Sequence, residues 1–252
     1  MDIKTVLVTQ ARTGSTRLPG KVMKVVNGKT LLQIHLERLK QCAQVSKIMV
    51  ATTVEDEDKV IFDRSKAWGF EASRGSESDV LDRFYQATKN ENADWIVRVT
   101  SDCPLLDPSL VDAIITYAQS NDYDYVSNGL IENFPDGQDV EVFKFSALET
   151  AWKNAKLNSE REHVTPYIRS HADGKGENLF TTSNYGYETS YSHIRMTVDE
   201  PRDFDLIKYL IETLGTEKTW LEYTDYIITH HLTKLNDGII RNEGFLKSLK
   251  KD

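Results

Sequence analysis

The 252-residue sequence is short of cysteine and of positive charge, and it lacks any long apolar run; each shortage removes a class of protein. Its two cysteines, Cys42 and Cys103, lie far apart with no CxxC pair, so neither a disulfide framework nor a zinc site is expected. Reduced thiols in a cytoplasmic protein are the expectation instead. Lys and Arg total 31 against 39 Asp and Glu, whereas a general nucleic-acid binder carries a broad basic face. No stretch approaches the length of a membrane span. The opening "MDIKTVLV", with an early acid and a short apolar run, is unlike a signal or transit peptide. What is present is 39% hydrophobic residues, enough for the core of a single large α/β domain over residues 1–252.

The first half alternates between two periodicities. "KTVLVTQA", "KIMVATT" and "DWIVRVTSD" are short β-branched runs of the kind that form strands buried on both faces. Between them, "LLQIHLERLKQC", "DKVIFDRSKAWG" and "VLDRFYQATKN" place apolar residues at helical spacing. "DPSLVDAIITYAQ" predicts a further helix, capped by Asp107 and opened by Pro108. Such alternation predicts a mainly parallel sheet with right-handed crossovers. After Asn121 the pattern breaks. "DYDYVSNG" and "EVFKF" read as strands joined through the turn-rich "LIENFPDGQD". "SALETAWKNA" and "SEREHVTPYIRSH" read as helices, the second limited by Pro166, and "HADGKGEN" reads as a loop. "HIRMTVDEP" predicts one more strand, and the remainder is helical from "RDFDLIKYLIETLG" onward. The section at about 128–192 is read as an insertion, and about 203–252 as a C-terminal helical extension.

In open parallel sheets ligands bind at the carboxyl ends of strands, so the residues just behind each strand matter most. Behind the first comes "QARTGSTRLPGK", with Arg12, Arg17 and Lys21 gathered around Gly14 and Gly20 in a chain of net charge −8. A strand-to-helix turn needs a glycine or two, not three cations. Behind the others come Ala51-Thr52-Thr53, Ser101-Asp102-Cys103-Pro104 and Asp199-Glu200-Pro201. A cationic loop and fixed N–H groups hold polyphosphate oxygens. Asp102 and Asp199 supply the hard oxygen ligands that Mg²⁺ takes alongside phosphate oxygens and water. Neither the Walker A spacing nor GxGxxG is present. Taken singly, the glycines are also turn residues, Ser15 and Thr16 caps, Arg17 and Lys21 surface charges, and the two acids caps or loop acids. Their meeting at one sheet edge points to nucleoside-triphosphate chemistry.

At "QARTGSTRLPGK", "VATT", "SESDVLDRF", "VRVTSDCPLLDP", "GQDVEVF", "EREHVTPYI" and "TVDEPRDF" the sequence resembles the cytidylyltransferases that activate acidic sugars. Among these it is similar to 3-deoxy-manno-octulosonate cytidylyltransferase and above all to the SpsF-type branch of spore-coat polysaccharide biosynthesis. The resemblance implies a Rossmann-like nucleotide-diphosphosugar transferase fold, a three-layer α/β/α sandwich, dimeric through the middle section. It implies transfer of CMP from CTP to a small acidic or phosphorylated acceptor with release of pyrophosphate. The nucleotide would be held by Gln10, Ala11, Arg12, Thr13, Gly14, Ser15, Arg17 and Lys21, with Ala51 and Thr52 against the base. Thr53, Ser78, Asp79, Arg83, Thr100 and Ser101 complete that set. Arg12, Arg17, Lys21 and Asp102 would be catalytic, Asp102 and Asp199 the Mg²⁺ ligands. Gly137, Asp139, Glu141, Arg161 and His163 are the acceptor candidates, with His163 or Asp139 as base for a hydroxyl acceptor. Octulosonate enzymes carry Gln and an acid where Thr100 and Cys103 stand here. Two other readings share part of the pattern: a glycosyltransferase using "DYD" at Asp122–Asp124 as its metal motif, and a non-catalytic nucleotide-binding protein.

Overall fold

The computed structural model describes residues 3–174, 178–250 and 252. Lys175, Gly176 and Glu177 of the expected "HADGKGEN" loop lie outside the described residues. In chain order the elements begin with β1 (Thr5–Gln10), the two-residue strands β2 (Val25–Val26) and β3 (Lys29–Thr30), α1 (Leu31–Leu39) and β4 (Lys47–Thr53). Next come α2 (Lys59–Ala67), β5 (Glu71–Gly75), α3 (Val80–Thr88), β6 (Trp95–Thr100) and α4 (Pro108–Asn121). The second half holds β7 (Tyr125–Ser127), β8 (Glu141–Lys144), α5 (Phe145–Asn154), α6 (Asn158–His163), α7 (Pro166–Ser170) and β9 (Thr182–Asn184). It ends with α8 (Pro201–Leu214), α9 (Trp220–Thr229) and α10 (Glu243–Ser248).

Among the described residues seven strands form one sheet, in the order β5-β4-β1-β6-β8-β7-β9. β1 pairs in parallel with β4 and β6, and β4 with β5, while β8 runs antiparallel to both β6 and β7. The apolar run of β1 is buried on both faces because side chains alternate across the sheet. Val6 and Val8 pack with Phe84 of α3, Leu148 of α5 and Ile168 of α7. Leu7 packs on the other face with Leu39 of α1, Ile114 of α4 and Trp220 of α9. The result is the three-layer α/β/α sandwich expected. Helix starts follow their caps: Asp107 accepts from Ser109 N at 2.8 Å behind Pro108, and Thr30 from Gln33 N at 3.1 Å.

Four elements differ from expectation. The segment around "HIRMTVDEP" is no strand; it is held by a single bridge between Asp136 and Arg195 and by Val198 N donating to Asp102 O at 2.8 Å. Its partners are a turn and a post-strand loop, neither of which offers a ladder. β5, "EASRG", has none of the β-branched pattern, and its place beside β4 supplies what its composition does not. β9, a three-residue edge strand, carries equally little signal. The helical stretch from Ser159 to Ser170 is two helices, with Val164 at φ 72° between them, ahead of Pro166. No helix among the described residues is long and apolar enough to cross a membrane.

Gly137 locks the turn before β8 against the segment that leads to Asp199. Its φ is +104°, and a Cβ there would stand 2.6 Å from the backbone of Met196 and Thr197. Neither neighbour is a flexible side-chain tip, so Gly137→Ala is expected to destabilise the fold by about 1–3 kcal/mol in urea titration. Unchanged stability would contradict the close approach.

Candidate active site

The loop from Gln10 to Lys21 leaves the carboxyl end of β1 and turns back on itself, with Ser15 N and Gly20 N both donating to Thr13 O. Gly20 at φ 64° starts the short 3₁₀ turn Lys21–Met23. A buried acid fixes the loop from below. Asp58, ahead of α2, accepts from Thr13 N at 2.6 Å and Thr13 Oγ1 at 2.7 Å on one oxygen, and from Thr53 Oγ1 on the other. Thr13 and Thr53 are thereby spent on anchoring. Sequence reading missed Asp58 because "EDEDKV" looks like an ordinary acidic helix start.

The three cations sit above this anchor, each against an acid. Arg12 pairs with Glu77 at 2.6 Å in the open. Arg17 reaches Asp199 at 3.2 Å and Glu243 of α10 at 3.1 Å. Lys21 Nζ lies 2.8 Å from Asp102 Oδ2 and 2.8 Å from Asp199 Oδ1. Burial alone would push the Lys21 pKa down, but the two carboxylates outweigh it and hold the ammonium charged. Burial likewise pushes Asp102 up; the charge and hydrogen bonds of Lys21, with help from Thr100 and Cys103, win and hold it below the usual carboxylate range. Thr100 Oγ1 and the Cys103 thiol meet at 3.4 Å, and that thiol lies 3.6 Å from Asp102 Oδ1. Burial and the Asp102 charge keep Cys103 protonated, so it can donate.

A cavity of about 780 Å³ opens over this row. Gln10, Ala11, Arg12, Ser15, Arg17, Lys21, Ser78, Asp79, Arg83, Thr100, Ser101, Asp102, Arg161, His163 and Asp199 all line it. Its far wall joins α3 to α6: Asp79 caps α3 through Asp82 N at 2.9 Å and takes Arg161 Nε at 3.0 Å on its other oxygen. Arg83 is 4% exposed, yet its Nε and Nη1 have no hydrogen-bond partner. Gly75 makes room for it, since a Cβ there would lie 2.7 Å from Arg83 Cγ. Glu243, Gly244 and Lys247 of α10 close the cavity's rim, a contribution no motif announced.

Other expected residues are not brought to the cavity. Ala51, Thr52 and Thr53 are fully buried within β4. Gly14 stays outside the lining, near Glu57 and Glu77. Asp139 pairs with Arg241 at 2.6 Å, and Gly137 packs against Met196 and Thr197. Glu141 is a buried acid of the sheet, accepting from Tyr125 Oη at 2.6 Å and Thr165 Oγ1 at 2.5 Å and pairing with Arg98. Asp122 and Asp124 pair with Lys144, which stands opposite Trp95 at the start of β6. That is the other end of the sheet from Asp102, so "DYD" is no part of this site.

A parallel-sheet edge that offers a glycine-bearing cationic loop and two facing carboxylates suits a phosphate-bearing ligand, and the family match makes the class nucleotidyltransferase. The chain belongs to the cytidylyltransferase family, whose model matches residues 6–227. It is similar to the uncharacterized protein MJ1063 of Methanocaldococcus jannaschii, 44% identical over 207 residues, 81% of this chain and 82% of that one. It is also similar to the spore coat polysaccharide biosynthesis protein SpsF of Bacillus subtilis, 33% identical over 215 residues, 82% of this chain and 86% of that one. Among solved structures, a cytidylyltransferase from Leptospira borgpetersenii superposes with a TM-score of 0.87 at 32% identity, covering 95% of this chain and all of that one. The resemblance read from the motifs thus stands.

His35 of α1 positions the turn that carries Asp102. It is fully buried; its Nδ1–H donates to Cys103 O at 2.9 Å, and Nε2 accepts from Thr9 Oγ1 at 3.0 Å. Burial pushes its pKa down from 6.5 to about 4. As pH falls from 6.5 toward 4, the unfolded chain takes up a proton that the folded one refuses, so stability drops. Between pH 7 and pH 5 this residue is expected to remove about 2 kcal/mol. Urea titrations of the parent and of His35→Gln at both pH values check it: the gap between them should narrow by that amount at pH 5.

Proposed function

We propose that the enzyme transfers CMP from CTP to a sugar acid or phosphorylated acceptor, with Mg²⁺, in the making of surface polysaccharide or glycan precursors. The observation that carries the reading is Lys21, held between Asp102 and Asp199 where the cationic loop meets the strand ends. Arg12, Arg17, Ser15 and Lys21 would hold the triphosphate, each cation exchanging its acid for phosphate oxygens. Asp102 and Asp199 fit a hard cation: each offers a carboxylate oxygen 2.8 Å from the one ammonium between them. Bound there, Mg²⁺ would offset charge on the α-phosphate. An acceptor oxygen then attacks the α-phosphorus in line and pyrophosphate leaves, with positioning and charge neutralisation as the main contributions.

With Ala51 and Thr52 fully buried in β4, the base falls to Ser78 and Arg83, which line the cavity at α3. Arg83 supplies donors free for base or ribose oxygens. On the acceptor side, Arg161 is committed to Asp79, and burial holds His163 down at about 4. His163 is therefore neutral at pH 7 and a weak base, which favours a phosphate or carboxylate acceptor that needs none. SpsF acts in polysaccharide biosynthesis by its name, which supports a role in glycan-precursor synthesis. The reading includes a homodimer formed through the section 128–192.

The deciding experiment is pyrophosphate release from CTP and Mg²⁺ across pooled sugar acids and sugar phosphates; no release with any acceptor would overturn the reading. CTP with Mg²⁺ should also raise Tm more than UTP, ATP or GTP does. In the same assay Asp102→Asn and Asp199→Asn are each expected to lower kcat by about 10²–10³-fold. The double variant should fall little further, because two acids serving one cation fail together. Near-normal turnover in either single variant, with Tm preserved, rules out the shared cation.

A further inference from the structure

The side chain of Asp199 does not stand free. Arg195, 8% exposed, donates Nη2 to Asp199 Oδ2 at 2.8 Å. The same guanidinium donates Nε to Asp203 Oδ1 at 2.9 Å and Nη2 to Asp203 Oδ2 at 3.1 Å, while Nη1 donates to Asp136 Oδ2. Asp203 in turn accepts from the backbone N of Asp199 and of Glu200, both at 3.0 Å. Main chain and side chain of Asp199 are thus fixed separately, one by Asp203 and one by Arg195. Asn236 closes the arrangement from the far side, donating Nδ2 to Asp203 Oδ1 at 2.9 Å and to Arg195 O at 3.2 Å.

The two oxygens of Asp199 consequently have different work. Oδ2 is satisfied inside the protein, and Oδ1 faces Lys21 at 2.8 Å and Arg17 at 3.2 Å in the cavity. Without Arg195, the carboxylate would be free to turn both oxygens onto Arg17 and Lys21, closing the site with its own charges. The four hydrogen bonds that the Arg195 fork makes to three carboxylates exceed the three donors of a lysine ammonium. We propose that Arg195 is a positioning residue for nucleotidyl transfer, setting Asp199 so that one oxygen alone is offered to the cation shared with Asp102. The inference rests on the reading of Asp102 and Asp199 as metal ligands.

Mn²⁺ alone, titrated into the full chain and followed by electron paramagnetic resonance of the free ion, tests it without turnover; Tm is measured alongside. Arg195→Met should bind Mn²⁺ about 10–100-fold more weakly, the usual effect of losing a partner that orients a ligand. Arg195→Lys should recover part of that loss. Asp136→Asn removes another arm of the same guanidinium without touching its contact to Asp199; it should lower Tm and bind Mn²⁺ as the parent does. A folded Arg195→Met with parent-like Mn²⁺ affinity overturns the proposal, as does an equal loss in Asp136→Asn. Should Arg195→Met not fold, Arg195→Lys decides: parent-like affinity overturns it and weakened affinity supports it. Asp199→Asn separates the two readings. Unchanged Mn²⁺ binding there removes the metal assignment and this inference with it, whereas loss there without loss in the Arg195 variants removes this one alone.

Discussion

One ammonium group joins the parts of this site. Lys21 Nζ is shared between Asp102, which lies behind β6, and Asp199, which precedes α8, and so ties the first loop to two segments 81 and 178 positions away. With a side chain 12% exposed, that charge is tolerable only because both acids answer it, and theirs only because it answers them. The surrounding contacts serve the same junction. Val198 N on Asp102 O brings the two acidic segments together, and His35 holds the turn that carries Asp102. The cations of the loop are each paired internally, so the triphosphate proposed for this cavity would not fill an empty socket. It would displace carboxylates, and its affinity would be a difference between two ionic arrangements.

Much of this frame was legible in the sequence because it depends on local signals. The β-branched runs of β1, β4 and β6 identify buried parallel strands without reference to anything else. Reading their carboxyl ends then finds the loop and Asp102, whereas Asp199 follows "HIRMTV", a segment expected as a strand that forms none. What failed depends on distant partners. Nothing in "EASRG" says strand until β4 stands beside it. The alternation in "HIRMTV" promises a ladder, and the chain offers only a turn and a loop to pair with. Glu141 carries a motif's charge but spends it on Arg98, Tyr125 and Thr165 inside the sheet. Asp58 and Arg195 left no local trace, since their roles exist only once residues far along the chain have met them.

The reversal of β8 also shapes the cavity. Because it runs against β6, its first residues rather than its last reach the active edge, and the turn at Asp136–Asp139 packs beside Met196 and Arg241. The candidates in "GQDVEVF" thus buttress the acidic side, while the open wall is made by α3, α6 and α10. The last of these lies beyond the family match at residue 227, so part of the rim is contributed by sequence outside the shared family region.

Asp58 has a consequence for how a ligand meets the loop. Ordering a residue's backbone costs about 1–2 kcal/mol of conformational entropy, and a glycine-bearing surface loop would ordinarily leave that cost to its ligand. Here a buried carboxylate holds Thr13 by both its amide and its hydroxyl and draws Thr53 to the same point. The loop is thereby anchored at Thr13 when the protein folds. The nucleotide proposed for this site would meet a cradle already held at that point, and fit and charge rather than loop ordering would decide what binds.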